Sequence, residues 1–319
     1  MENLPIDTSN PMVRDYLALI RLQVLTPLSL LINIATVTVC SVVVDPGLGG
    51  ISLLYPSSIS PKPSMIAAYI IAIYIGQIGY CVLLVLARKP ETKLALVKGV
   101  GLPLVMANWI MAGWAIAWVL RGFLVSTILL GTLLVLLLYA NIVLLVYHPP
   151  TTARPFDIAL IHAPMRAFLL WPLGVMFPYS LFITLGLTWS PGEQQHYARG
   201  QWAGFGVMFG VNLLGLLVVA LRRDIVWCVA ASWICASVWS LRPKPFPVFF
   251  TVVLFTIMHP LALVVSVLWT RLRGRQRTGA IALPPDDGGH AEGHGQEREG
   301  EHAPREVDVE ALWVSERCR

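Results

Sequence analysis

Few side chains in this 319-residue sequence could do chemistry, and they fall into three sets. The first is one histidine, His259, in Met258-His259-Pro260 near the middle of the last long apolar run. An imidazole there could exchange a proton at physiological pH or contact a ligand. It could equally satisfy the carbonyl of Thr256, which Pro260 leaves without an N–H. The second set is one amide in each of five apolar runs: Asn33, Gln77, Asn108, Asn141 and Asn212. Such amides join helix to helix, at roughly 0.6 kcal/mol apiece, or converge on the polar group of a ligand. The third set is the charged entry to the fifth run, Arg154, Asp157, His162 and Arg166. His162 and Arg166 are four apart and share a helical face. Together these residues suit a phosphate or carboxylate such as a lipid headgroup, or an interfacial loop whose Arg166 reaches for headgroups.

The elements that must position these groups are apolar. Hydrophobic residues make up 56% of the chain and charged ones 13%, with a mean hydropathy of +0.69. A soluble domain carries about a quarter charged residues, so a polytopic membrane protein is expected. Eight runs approach the roughly 20 residues that cross a bilayer: 22–44, 65–87, 100–120, 123–147, 167–189, 202–221, 225–241 and 246–269. Arg121-Gly122 alone separates the third from the fourth, which predicts a tight helical hairpin. In the fifth run, Pro178 removes the N–H that the Gly174 carbonyl would accept, and Pro172 does the same for Phe168. A kink or a short unwound segment is expected there, with Tyr179, Ser180 and Thr184 near the freed carbonyls. Broken membrane helices can line cavities, so the ligand-binding expectation is a site formed by His259, Pro178, Gly174, Asn212 and Asn108.

Lys and Arg are distributed unequally between the connections. Fourteen fall on the side of Arg14, Arg88, Arg166, Arg222 and Arg271, against Lys62, Arg121, Arg199, Arg242 and Lys244 on the other. The charge bias predicts that both termini are cytoplasmic. The expected organisation is a short cytoplasmic segment (1–21) whose following helix acts as an uncleaved anchor, an all-α bundle of eight transmembrane helices (22–269), and a cytoplasmic tail (270–319). That tail is basic, then acidic, and too polar to bury a core, so it is expected to be disordered. Within it, 307–313 could fold on a protein partner.

Several functions are disfavoured. No Asp, Glu, Lys or Arg lies inside the eight runs, whereas ion-coupled carriers use buried carboxylates. The seven histidines do not make an iron-binding box, His148 and His162 are the sole candidate haem pair, and no metal or cofactor is expected. There is no phosphate loop or nucleophile elbow, which leaves His162, Asp157 and Arg166 as the only apparatus for an enzyme. Of the five cysteines, Cys40, Cys81, Cys228 and Cys235 sit in apolar runs and read as small buried hydrophobes. Nothing points to nucleic acid.

The segment from Ile161 to Asp224 resembles an uncharacterised family of fungal multi-pass membrane proteins. In that family a His-Ala-Pro element, here His162-Ala163-Pro164, opens a central helix, and an acidic residue, here Asp224, follows the next span. The resemblance implies a class and a layout, not an activity. Two functions are therefore expected. One is binding or moving a small neutral, amphipathic or lipid-like molecule without ion coupling, with membrane lipids and a hydrophobic ligand as partners. The other is a non-catalytic scaffold that presents the acidic tail to a protein.

Overall fold

The computed structural model describes residues 11–150, 154–190, 192 and 196–278. Nine helices account for the regular structure of these residues, beside one isolated antiparallel bridge between Ser57 and Thr188. They are α1 (Pro11–Thr38, continued by a π turn over Val39–Val43), α2 (Leu48–Leu54), α3 (Pro63–Leu86), α4 (Pro90–Val119), α5 (Phe123–Tyr147), α6 (Pro155–Thr184), α7 (Gln201–Arg222), α8 (Ile225–Trp239) and α9 (Phe246–Thr278). Seven of them are long and apolar enough to cross a membrane. Their outward faces expose large apolar side chains such as Val42 (78%), Leu221 (78%) and Phe246 (75%). Water would penalise patches of that extent. The chain is a multi-pass integral membrane protein of the all-α class. A second unit begins at Arg275, and of it only 275–278 are described, as helix; the expected disordered tail lies outside the described residues.

The expected spans are found with shifted ends. The seventh is the exception in length, since α8 has 15 residues, about 22 Å of helix against a hydrocarbon core of about 30 Å. It starts at a fixed cap: the Asp224 carboxylate accepts the N–H of Trp227 (3.1 Å). The fifth, α6, ends at Thr184 rather than 189. Gly186 takes φ +70° there, and Leu187 N–H returns to the Phe182 carbonyl at 2.9 Å, a glycine-terminated helix end. The hairpin at Arg121-Gly122 is present, with Gly122 N–H bonded to the Ala117 carbonyl (2.9 Å).

In α4 and α6, prolines follow widened turns rather than unwound ones, whereas Pro27 of α1 and Pro260 of α9 lie in regular α-helix. Helix α6 is continuous, but it takes π turns over Ile158–His162 and Pro172–Met176, each followed two residues later by a proline, Pro164 and Pro178. The N–H before each proline bonds five residues back, Ala163 to Ile158 and Phe177 to Pro172. In α4 the turn over Ala95–Gly101 precedes Pro103 in the same way. Proline has no N–H and its ring crowds the carbonyl four residues back; a five-residue turn adds room for the ring without breaking the helix.

Two ends of the bundle can be told apart by their contacts. At the basic end, the starts of α4, α6 and α8 meet through Thr92–Asp157 and Arg166–Asp224. At the far end, α2 and the segment 55–62 are held over the helix ends. Trp118 Nε1 donates to the Leu48 carbonyl (3.3 Å), and Tyr179 Oη lies 2.8 and 2.9 Å from the Ser52 and Tyr55 carbonyls. Lys62 N–H donates to the Ser237 carbonyl (2.8 Å).

Candidate functional site

An apolar cavity lies at the far end, between α1 and α3 and beneath α2. Lower down, the two helices touch: Gln23 Nε2 donates to the Leu84 carbonyl (3.1 Å), and Tyr74 Oη donates to Asn33 Oδ1 (3.3 Å). Beyond that contact a cavity of about 510 Å³ opens. Its inner wall is the buried Val37, Ile66, Ile70, Trp114 and Trp118, and its rim is the exposed Ser41, Val42, Ser64, Ala67 and Ile71. The mouth therefore opens on the side of the bundle, and the roof is Leu48, Gly49 and Ser52 of α2. The size falls within the roughly 300–1,000 Å³ of small-molecule sites.

Behind Tyr74 of the cavity wall lies a buried chain of amides. Asn33 Nδ2 donates to Asn108 Oδ1 (2.8 Å), and Asn108 Nδ2 donates to Gln77 Oε1 (2.9 Å), so three of the five expected amides form one chain across α1, α4 and α3. Tyr74 belongs both to this chain and to the cavity wall. On the opposite wall, the buried Trp114 indole N–H has no hydrogen-bond partner. Trp114 packs edge-on against Trp171 of α6 at 4.9 Å, which fixes its plane.

The other residues expected to join Asn108 are elsewhere. His259 and Asn212 form a separate cluster of α7, α8 and α9. His259 Nδ1 is 2.6 Å from the Phe255 carbonyl, the one four residues back, not that of Thr256 as the proline argument predicts. Asn212 Nδ2 donates to the Met208 carbonyl (2.7 Å) and its Oδ1 accepts from Cys235 Sγ (2.9 Å). Gly215 allows the approach, since a Cβ there would stand 3.2 Å from His259 Nε2 and 3.0 Å from Trp227 Nε1. Gly174 packs against Ile234 of α8, where a Cβ would lie 3.0 Å from its Cδ1. Helix α8 thus stands between Gly174 and the His259 cluster, touching the first through Ile234 and the second through Cys235. Pro178 is buried in α6; the neighbouring Ser180 and Thr184 bond Thr127 of α5 at 2.7 and 2.9 Å.

At the basic end the third set does come together, as ion pairs. Arg166 Nη1 is 2.7 Å from Asp224 Oδ2, both side chains being nearly enclosed. The sequence places Asp224 among Arg222 and Arg223, yet its partner is across the bundle in α6. Arg154 pairs with Glu91 (3.2 Å) and Asp157 (3.6 Å), and Thr92 Oγ1 donates to Asp157 Oδ2 (2.9 Å). Burial, and after it the Arg154 guanidinium, push the His148 imidazole below its ordinary pKa. The space among His148, Arg154, Asp157 and His162 is about 20 Å³, room for a water and not for a phosphate. Among the described residues no group of three or more His, Cys, Asp or Glu could hold a metal ion.

Comparison with protein families, curated proteins and solved structures finds no match. The site must therefore be read from its own chemistry. Sequence reasoning missed the cavity because its wall uses the same Ile, Val, Ser and Thr that face lipid elsewhere. One signal was available: the connection between the first two expected spans is the longest short of the tail, and long connections commonly carry function.

Proposed function

We propose that this protein binds, and passes between the bilayer and its interior, a small amphipathic or lipid-like molecule, without ion coupling. The cavity between α1 and α3 carries the reading: it is about 510 Å³, apolar-walled and open to the side. An alkyl chain entering there would leave one apolar phase for another, so affinity would come from shape and from a single polar contact. The unpartnered Trp114 N–H and the Tyr74 hydroxyl supply that contact. A ligand hydroxyl suits both: its oxygen accepts from the Trp114 N–H, and its proton goes to the Tyr74 oxygen, whose own proton is held by Asn33.

The excess of Lys and Arg at the basic end supports a cytoplasmic location for it, which puts the cavity in the opposite leaflet. Arg166–Asp224 joins the two elements on which the likeness to the fungal multi-pass family rests, and supports their acting as one unit. The test is thermal stabilisation of the detergent-purified protein by long-chain alcohols, with Ala67→Trp beside the wild type. Stabilisation of the wild type that drops at least tenfold in apparent affinity in Ala67→Trp is expected. Equal stabilisation of both would place the alcohol on the lipid-facing surface and reject the site.

A further inference from the structure

A second far-end cavity, of about 140 Å³, is lined by Ser57, Ser60, Trp189, Arg242 and Lys244. It adjoins the apolar one, because Ser52 lines both. Lys244 is 8% exposed, and its Nζ donates to the carbonyls of Ser60 (2.6 Å) and Ser57 (3.4 Å). Among the described residues no carboxylate pairs with it. An ammonium has three N–H groups, so one remains to be satisfied. A buried cation without an anion is costly, and nothing in segment 55–62, α2 or the 187–189 turn provides one. Arg242, the other charged residue lining the cavity, lies over the Phe249 ring at 4.0 Å. Ser57 and Ser60 form a hydroxyl pair (3.1 Å) in which Ser60 Oγ also accepts the Ser57 N–H (2.6 Å). Two hydroxyl protons share one such link, which frees the other to donate.

We propose that this cavity is a site for one carboxylate, held by the Lys244 ammonium, by Arg242 and by a hydroxyl of the Ser57–Ser60 pair. The volume suits a carboxylate with a water or two and is below what a drug-sized ligand needs. The carboxylate is either a free small anion or the headgroup of an amphiphile whose chain occupies the adjoining apolar cavity; only the second rests on the function proposed above. Desolvation lowers the Lys244 pKa to about 7, and a bound anion would draw a proton onto it. Binding is therefore strongest below pH 7 and weakens by about tenfold per pH unit above it.

Calorimetric titration of the wild type with acetate from pH 6 to 8.5, where its charge is constant, tests the site. At pH 6.5, dodecanoate and dodecanol are titrated in parallel. The same series is run on Lys244→Met and Arg242→Gln, with folding checked by circular dichroism. The site is supported by acetate or dodecanoate binding that falls at least tenfold in Lys244→Met, and less in Arg242→Gln. Similar affinities for the two anions identify a free carboxylate as ligand, and binding of dodecanoate alone identifies a headgroup. Dodecanoate binding no tighter than dodecanol, together with no acetate binding, overturns the site while leaving the apolar cavity standing. Anion affinity flat across pH 6 to 8.5 in the wild type overturns it even if Lys244→Met does not fold.

Discussion

The two ends of this bundle solve the same problem differently. At the basic end, charges brought in by α4, α6 and α8 neutralise one another, Arg166 with Asp224 at 2.7 Å and Arg154 with Asp157 at 3.6 Å, and the space left holds about one water. At the far end, side chains bond backbone carbonyls instead. Tyr179, Trp118 and Lys244 each reach up to α2 or to segment 55–62, holding it as a roof without drawing the helices below it together. Ion pairs pull helix starts into contact; long side chains aimed at carbonyls act as spacers. One end is consequently closed, and the other keeps about 510 Å³ open to the side.

This contrast predicts where damage is greatest. Breaking the nearly enclosed pair in Asp224→Ala leaves Arg166 without an anion and α8 without its cap, a loss of about 3–5 kcal/mol. Thermal unfolding in detergent should show it, and the double replacement Arg166→Met with Asp224→Leu should recover most of it. A double variant as unstable as the single one would mean that the charges do more than close this end. Next is Tyr179→Phe, which removes the hydroxyl from two half-buried carbonyls at a cost of about 1–2 kcal/mol. Hydrogen exchange should rise in α2 and stay unchanged near Asp224; a rise at both ends would show that the ends are not independent.

A third effect depends on pH. The folded pKa of Lys244 is lowered to about 7 from the 10.5 of an exposed lysine. Between those values the unfolded chain binds the extra proton, so stability rises with pH through that window, by up to about 1.4 kcal/mol per unit. Lys244→Met should flatten the rise; an unchanged slope would assign it to another group. The smallest change is Asn108→Leu, which cuts the amide chain beneath the cavity and should cost about 1 kcal/mol, near the usual value for an interhelical bond. A loss several times larger would mark that chain as the keystone of the far end.

Much of the fold was legible in the sequence. Span length and hydropathy locate the long helices, Arg121-Gly122 marks the hairpin, and the prolines of the fifth run mark where its geometry changes. The form of that change was not legible, because a π turn and an unwound turn answer the same missing N–H, and packing decides between them. The chemical residues were visible but not their groupings. Asn33, Gln77 and Asn108 belong together and His259 with Asn212 does not join them, since helix order in space is set by packing between distant runs. Asp224 shows this most plainly: two arginines precede it, and its partner is Arg166 of α6. Lys244 gave no signal beyond a loop charge, for burial of a loop lysine depends on segment 55–62 folding over it.

The most direct test sets the two polar regions of the membrane interior against each other. Native mass spectrometry of the detergent-purified protein with a bound long-chain alcohol would be run on the wild type, Ala67→Trp and His259→Ala. Retention by the wild type and His259→Ala, with loss in Ala67→Trp, is the predicted result. Loss in His259→Ala with retention in Ala67→Trp would contradict it and move the site to the cluster of α7, α8 and α9.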